Sequence, residues 1–243
     1  MIELRDVRKS FEGVEVLQGI STRFETGKVN LVIGSSGHGK SVMMKCMVGL
    51  LNPTSGNVFY DDRDFTNLEY SKLREVRKEI GMLFQGTALF DSLTVEENVE
   101  FTLKMFTNMT RAERRDRVDF CLEQVDMVGI NSKFPSEISG GMKKRVGIAR
   151  AIALDIKYLF CDEPNSGLDP VTSRLIDELL KQITEEFNIT TIINTHDMKT
   201  VFDIGNDVIF IHKGMNEWSG KVNDIKNSDN EMLTNFIKAS FFD

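Results

Sequence analysis

Residues Gly34 to Ser41 read Gly-Ser-Ser-Gly-His-Gly-Lys-Ser, between the apolar run Val29-Asn30-Leu31-Val32-Ile33 and a helix-like stretch, Val42 to Leu51. The spacing G-x-x-x-x-G-K-S in a strand–loop–helix setting is that of a P-loop. Glycines at 34, 37 and 39 permit backbone conformations that a Cβ would obstruct, so successive N–H groups of Gly34, Ser35, Ser36, Gly37, His38 and Gly39 can turn inward around a phosphate chain. The helix start adds free donors and the positive end of a dipole. Lys40 can then reach the β- and γ-phosphates, and the Ser41 hydroxyl can ligate Mg²⁺, which prefers hard oxygen ligands.

Composition bounds what can be built on that loop. At 243 residues the chain can bury a substantial core, as one large domain or a core with a subdomain. Its 28% charged and 41% hydrophobic residues are ordinary for a soluble globular protein. A net charge of −7 argues against a general nucleic-acid binder, whose footprint would be basic. Cys46, Cys121 and Cys161 are odd in number and lack metal-type spacing, which predicts a reducing cytosol and core positions for all three. The N-terminus lacks a signal-peptide pattern, and no apolar stretch is long enough to span a bilayer, so a membrane role must come through a partner.

In chain order, Ile2 to Val7 alternates like a strand, and Val14 to Phe24 is a second β-like stretch broken at Gly19. Phe11, in the turn beside Gly13, could stack on a nucleotide base or cap a hairpin. After a turn at Asn52 to Gly56 come a strand at Val58 to Tyr60, a polar helix at Ser71 to Glu79 and a strand at Ile80 to Phe84. Gln85 stands at that strand's end, where an amide can reach a metal or water; taken alone it reads as a loop residue. Residues 94 to 128 look helical, with a Thr110/Glu113 capping box and a core stripe at Val118, Cys121, Leu122, Val125 and Val128. Phe101, Met105, Phe106 and Met109 also read as buried. Ser139-Gly140-Gly141 leads into an amphipathic helix and reads equally as an N-cap or an anion site, while Lys143-Lys144-Arg145 reads as a solvated face.

Tyr158 to Cys161 is an apolar run ending in Asp162-Glu163. Adjacent carboxylates at the end of a buried strand are costly unless they bind a metal or do chemistry. Asp162 suits Mg²⁺, and Glu163 suits positioning or deprotonating a water. The turn Ser166 to Pro170 opens a helix whose predicted apolar face is Val171, Leu175, Ile176, Leu179, Leu180, Ile183 and Phe187. The strand Ile189 to Ile193 runs on to His196, on the same predicted sheet edge as Gln85 and Asp162-Glu163. A hairpin is expected at Asp207 to Gly220, with His212 structural and without a companion. In the tail, Met232, Leu233, Phe236 and Ile237, with Phe241 and Phe242 beyond, either pack on their own domain or dock on a partner.

With Gly34 to Ser41, Gln85, Ile138 to Met142, Tyr158 to Glu163, Ser166 to Asp169 and His196 in this order, the chain resembles the ATP-binding-cassette ATPases of transporters over residues 2 to 220. The resemblance implies an α/β fold: a P-loop NTPase, RecA-like core with an antiparallel β subdomain and an α-helical signature subdomain. It places core and β subdomain at about residues 2–85 and 157–220, the helical subdomain at 86–156 and a tail at 221–243, all within one domain spanning 1–243. It also implies roles: Phe11 as the adenine-stacking aromatic, Gln85 as the Q-loop glutamine bearing on metal and water, Ser139, Gly140 and Gly141 with Met142 as the signature, Asp162 as the metal-binding aspartate, Glu163 as the catalytic glutamate, Asp169 as a further nucleotide-site residue and His196 as the switch histidine. ATP and Mg²⁺ follow as cofactors, and a head-to-tail dimer sandwiching two nucleotides as the assembly.

Phe84 to Val99, with the signature Ser-Gly-Gly-Met-Lys, looks further like the ATPase of Mla-type phospholipid transport systems. That likeness implies an integral permease, an MCE-domain lipid-binding protein, room for a small regulatory subunit, no nucleic acid, and a cytoplasmic location on the inner membrane through the permease. Relative to the wider family pattern, Met142 replaces Gln, Ile138 replaces Leu and Asn165 replaces Thr. Another importer or exporter, or a soluble ABC ATPase, is the alternative.

Overall fold

The structure, a computed structural model, describes residues 1–240. Along them run β1 (Ile2–Phe11), β2 (Val14–Phe24), β3 (Val29–Ile33), α1 (Lys40–Met47), β4 (Ser55–Tyr60), β5 (Arg63–Asp64), α2 (Tyr70–Lys78), β6 (Ile80–Leu83), α3 (Val95–Phe106), α4 (Arg111–Gln124), α5 (Gly140–Ala151), β7 (Tyr158–Asp162), α6 (Pro170–Glu186), β8 (Thr190–Thr195), α7 (Met198–Ile204), β9 (Asp207–His212), β10 (Met215–Lys221) and α8 (Glu231–Ser240).

The strands make two sheets. A four-stranded sheet has the order β2-β1-β4-β5 with antiparallel pairings, and a six-stranded sheet has the order β10-β9-β3-β8-β7-β6. In the larger sheet every pairing from β9 to β6 is parallel, and β10 closes the edge antiparallel to β9. β3 and β8 are buried at every residue, as parallel strands covered on both faces must be. The pleat sends alternate residues to opposite faces. Leu31 and Ile33 join the core shared with α3 to α6, whereas Val32 joins the core under α1 and the smaller sheet.

Several elements depart from the sequence reading. β2 is continuous, and Gly19 sits within it at φ 85°. Residues 94 to 128 hold two helices, α3 and α4, with Thr107 closing the first and Thr110 capping the second. Both start with a full capping box; the one at Thr94/Glu97 has the same Thr-x-x-Glu spacing as that at Thr110/Glu113. Met105 is exposed, and so are Val128, Val171 and Leu175; the buried face of α6 is Ile176, Leu179, Leu180 and Ile183. Helical periodicity marks which residues share a face, but not how far the neighbouring elements extend over it. Cys46, Cys121 and Cys161 are all buried and free.

The tail packs on its own domain. Leu233 is buried in the core of α3 to α6, with Phe236 and Ile237 against it and the Phe236 ring 5.3 Å from that of Phe210. Met232 on the same helix is exposed, and Phe241 and Phe242 lie outside the described residues.

β6 is set by how closely α5 approaches it. Gly81 is buried, and a Cβ there would lie 2.5 Å from the Ala151 carbonyl oxygen and 2.8 Å from Ile156 Cδ1. The obstruction is backbone, which cannot swing aside. Gly81→Ala is expected to cost about 2 kcal/mol of stability as an overpacked core position. That corresponds to a thermal midpoint roughly 5 °C lower in a chain of this size, measurable by circular dichroism melting.

Candidate nucleotide site

The loop after β3 is shaped by glycine. Gly34 has φ 144°, and a Cβ on it would lie 2.2 Å from the Ile211 carbonyl oxygen, so no side chain fits there. Gly37 and Gly39 also have positive φ, and Gly39 is the residue before α1, with no side-chain cap. The first N–H groups of α1 are therefore open to an anion. Lys40 curls back into this loop, its Nζ donating to Gly34 O at 2.6 Å and to Ser35 O at 3.1 Å. Burial pushes the Lys40 ammonium below its ordinary pKa, against the opposing pull of Glu163 and Asp162.

Parallel pairing brings the ends of β7 and β8 beside the loop. Asp162 pairs with Asn194 in the sheet, and Asp162 Oδ1 accepts from Asn194 Nδ2 at 3.0 Å and from Ser41 Oγ at 3.2 Å. Asn194 is fully buried and is not marked by any motif in the sequence; its one signal is an amide near the end of an otherwise β-branched strand. Glu163 follows in a left-handed backbone conformation, φ 49°, with its N–H donating to Asn194 O at 3.0 Å. A residue other than glycine in that region is strained and is held there by its surroundings. His196 Nδ1 stands 3.0 and 2.9 Å from the Glu163 carboxylate oxygens, which assigns the ring hydrogen to Nδ1 as donor. The ring itself is largely exposed.

Gln85 lies just past β6, exposed, with Nε2 donating to Ser166 Oγ at 3.3 Å. Lys40, Ser41, Gln85, Glu163 and His196 line one cleft of about 280 Å³ together with Ser36, Gly37 and Gly39; Val16 and Val42 complete its wall. Val16, on β2, is a contributor the sequence did not reveal.

Other predicted residues stand elsewhere. Phe11 ends β1, paired with Val14, is 41% exposed, and carries the Lys9 ammonium 5.0 Å over its ring; it is not part of the cleft wall. Ser139 caps α5, accepting from Met142 N at 3.3 Å, and Asp169 caps α6, accepting from Val171 N and Thr172 N at 3.0 Å each. Gly141 packs so closely on α6 that a Cβ would lie 2.5 Å from Thr172 Cγ2. Ser139, Gly140, Gly141 and Asp169 thus form a second, outward-facing group of helix starts, apart from the cleft.

The basic run is not a solvated face. Lys144 is buried and donates to Gln85 O at 2.6 Å, and Arg145 donates to Val125 O at 2.8 Å and Asp126 Oδ2 at 2.9 Å. His212 does have a companion: its ring packs edge-on to that of His38 with centroids 4.7 Å apart. Burial is the chief cause that pushes the His38 pKa down, helped by His212, Lys40 and Lys213. Behind the cleft, Asn165 Nδ2 donates to Asp177 Oδ1 at 2.8 Å and to Thr200 Oγ1 at 3.0 Å, and Thr200 donates to Asp177 Oδ2 at 2.8 Å. Burial pushes the Asp177 carboxyl up to about 6.

Among the described residues no three His, Cys, Asp or Glu side chains gather to cage a metal. The oxygens of Ser41 and Asp162 do converge, with the Gln85 amide on the same cleft. A hydroxyl, one carboxylate and an amide suit Mg²⁺, which keeps waters and shares phosphate oxygens rather than filling a protein cage.

The model of the ABC transporter family matches residues 17–166. The chain is 41% identical over 241 residues to methionine import ATP-binding protein MetN 1 of Oceanobacillus iheyensis, covering 96% of this chain and 70% of that protein. It is 39% identical over 197 residues to the probable ribonucleotide transport ATP-binding protein mkl of Mycobacterium leprae, covering 81% of this chain and 57% of that one. The dimeric structure of MJ0796, a bacterial ABC transporter cassette, superposes with a TM-score of 0.83 at 32% identity, covering 91% of this chain and 99% of that chain. The same cassette is also known in a post-hydrolysis state bound to ADP and Pi. A glycine-shaped loop with its lysine, serine, acidic pair and histidine on one sheet edge, in a chain that matches this family over most of its length, is an ABC ATPase: the chain belongs to the ABC transporter family.

Proposed function

We propose that this cleft hydrolyses Mg²⁺-bound ATP with the residues in the roles their positions favour, and that the chain powers an importer through a membrane permease. The convergence of Lys40, Ser41, Asp162, Gln85, Glu163 and His196 carries the first part. The triphosphate lies along the loop from Gly34 to Gly39 and the start of α1, and Lys40 exchanges its two carbonyl acceptors for phosphate oxygens. Ser41, Asp162 and Gln85 would hold the Mg²⁺, which when bound would neutralise phosphate charge. Glu163 takes the proton of the attacking water, and the His196 Nδ1–H holds that carboxylate in position. Phe11 stacks on the base from the hairpin.

Ser139, Gly140 and Asp169 are exposed and, like Gly141, lie off the wall of their own chain's cleft. This supports their use in trans, by a second copy placed head to tail across the nucleotide, as does the dimeric MJ0796 structure. Between β6, α3 and α5, Met82, Phe84, Ala88, Phe90, Phe101 and Leu154 line an apolar groove of about 400 Å³. It borders the loop after Gln85, and an apolar helix of the permease is its proposed occupant. No helix among the described residues is long and apolar enough to cross a membrane, so the partner would hold the chain at the cytoplasmic face of the inner membrane. The division into core, β subdomain, helical subdomain and tail at residues 85/86, 156/157 and 220/221 belongs to the same proposal.

For the cargo, the 41% identity to a methionine import ATPase supports small-solute import more than phospholipid exchange with an MCE-domain protein. The phospholipid reading is second, favoured by Met142 in the signature and by the stretch Phe84 to Val99.

Glu163→Gln is expected to lower kcat by about 10²-fold or more, the usual scale for a lost general base, while ATP binding is retained; full turnover by the variant would remove Glu163 from its role. Pull-down from detergent-solubilised native membranes, with ATPase measured on the recovered complex, is expected to yield a permease and a solute-binding protein. An MCE-domain protein in its place would transfer the cargo to lipid, and recovery with ribosomes or nucleic acid alone would defeat the transport reading.

A further inference from the structure

The loop from Gln85 to Ala88 has an unusual backbone. Thr87 and Ala88, neither of them glycine, are both left-handed at φ 61° and 49°. Internal bonds only partly account for this: Thr87 N donates to Phe84 O at 2.8 Å, and Ala88 N to Gly86 O at 2.7 Å. The remaining carbonyls point at α5. Gln85 O accepts from Lys144 Nζ, Thr87 O from Arg150 Nη2 and Ala88 O from Arg150 Nη1, each at 2.6 Å.

Both cations are buried, and among the described residues neither has a carboxylate within ion-pair distance. Burying a charge against neutral acceptors alone is expensive, so these side chains are costly as core filler. Burial pushes both pKa values down, with Glu163 and Cys161 pulling that of Lys144 the other way. Between them on the helix, Gly147 lets α5 lie against the loop: a Cβ there would be 2.8 Å from Leu83 Cδ1 and 3.7 Å from Thr87 Cβ.

We propose that Lys144 and Arg150 are positioning residues that clamp the Gln85–Ala88 loop to α5, so that the Gln85 amide follows the movement of that helix. The clamp has two inputs. α5 starts at the outward-facing Ser139-Gly140-Gly141, and Arg150 also lines the apolar groove beside Phe84 and Phe90. A ligand or partner at either place bears on a helix whose charged side chains grip the loop that carries Gln85. On the role proposed above for Gln85, that amide would then bear differently on metal and water at the cleft, while the loop from Gly34 to Gly39, which neither cation touches, would not change.

The test is steady-state ATP turnover by the purified full chain as Lys144→Met, Lys144→Gln and Arg150→Lys, with fold checked by circular dichroism. Lys144→Met is expected to keep its KM for ATP within about twofold, lose at least about tenfold in kcat, and need several-fold more Mg²⁺ for half-maximal rate. Lys144→Gln, which can still donate to Gln85 O, is expected to recover at least about a third of the parent kcat. A kcat and Mg²⁺ requirement within about twofold of the parent overturns the clamp, as does a joint fall of kcat, ATP affinity and thermal midpoint with no recovery in Lys144→Gln. Should Lys144→Met fail to fold, Arg150→Lys decides: it keeps the charge but replaces the planar fork, whose two nitrogens each hold one carbonyl, with a single nitrogen on a shorter stem. It is expected to lose several-fold in kcat at unchanged KM, and parent-like kcat overturns the proposal.

Discussion

Parallel pairing of β3, β8, β7 and β6 puts the C-terminal ends of all four strands at one edge of the sheet, and each chemical group of the cleft hangs from one of those ends. The loop that leads to Lys40 and Ser41 at the start of α1 leaves β3, Gln85 follows β6, Asp162 ends β7 with Glu163 next, and Asn194 and His196 stand at the end of β8. The register is what matters, because Asp162 opposite Asn194 and Ile33 opposite Thr195 fix the carboxylate within bonding distance of Ser41. Side chains at carboxyl ends of open α/β sheets share a crevice for this reason, whatever chemistry they carry. Slipping β7 by one residue would exchange its two faces and turn Asp162 away.

Around that edge the two cores have different work. The one under α1 and the smaller sheet holds Met43, Met44 and Met47 of α1 with Val32, Phe160 and Ile192; the one over α3 to α6 fixes α5 against β6. Rigidity in the first preserves the spacing among Lys40, Ser41 and Asp162. The second carries the helix whose N-terminus faces outward and whose buried cations reach back to the Gln85 loop. A mechanical link between the outer surface and the cleft therefore runs through one helix face rather than through the sheet.

The cleft was largely legible in the sequence because its parts obey local rules. Glycines at 34, 37 and 39 are demanded by backbone angle, and an acidic pair after an apolar strand has few bland explanations. What escaped depends on neighbours that spacing does not specify. Lys143-Lys144-Arg145 reads as a charged surface, yet the turn of α5 aims Lys144 inward at a carbonyl and leaves only part of the run near water. His212 has no companion within reach along the chain, yet the fold sets its ring against that of His38, far earlier in sequence. Val171 and Leu175 continue the apolar stripe of α6 past the point where the domain still covers it. Asn194 and Val16 contribute through sheet register and hairpin placement, neither of which has a motif.

The left-handed backbone at Glu163 limits how this cleft can be silenced by substitution. Its N–H is tied to Asn194 O, so the conformation is imposed by the sheet and remains when the side chain changes. Asn, Asp and Gly enter that region readily, whereas Val, Ile and Thr, branched beside the backbone, resist it. A lineage that gave up hydrolysis at this position while keeping the fold would drift toward small polar residues or glycine, and a β-branched replacement would reveal that the strand end itself had moved.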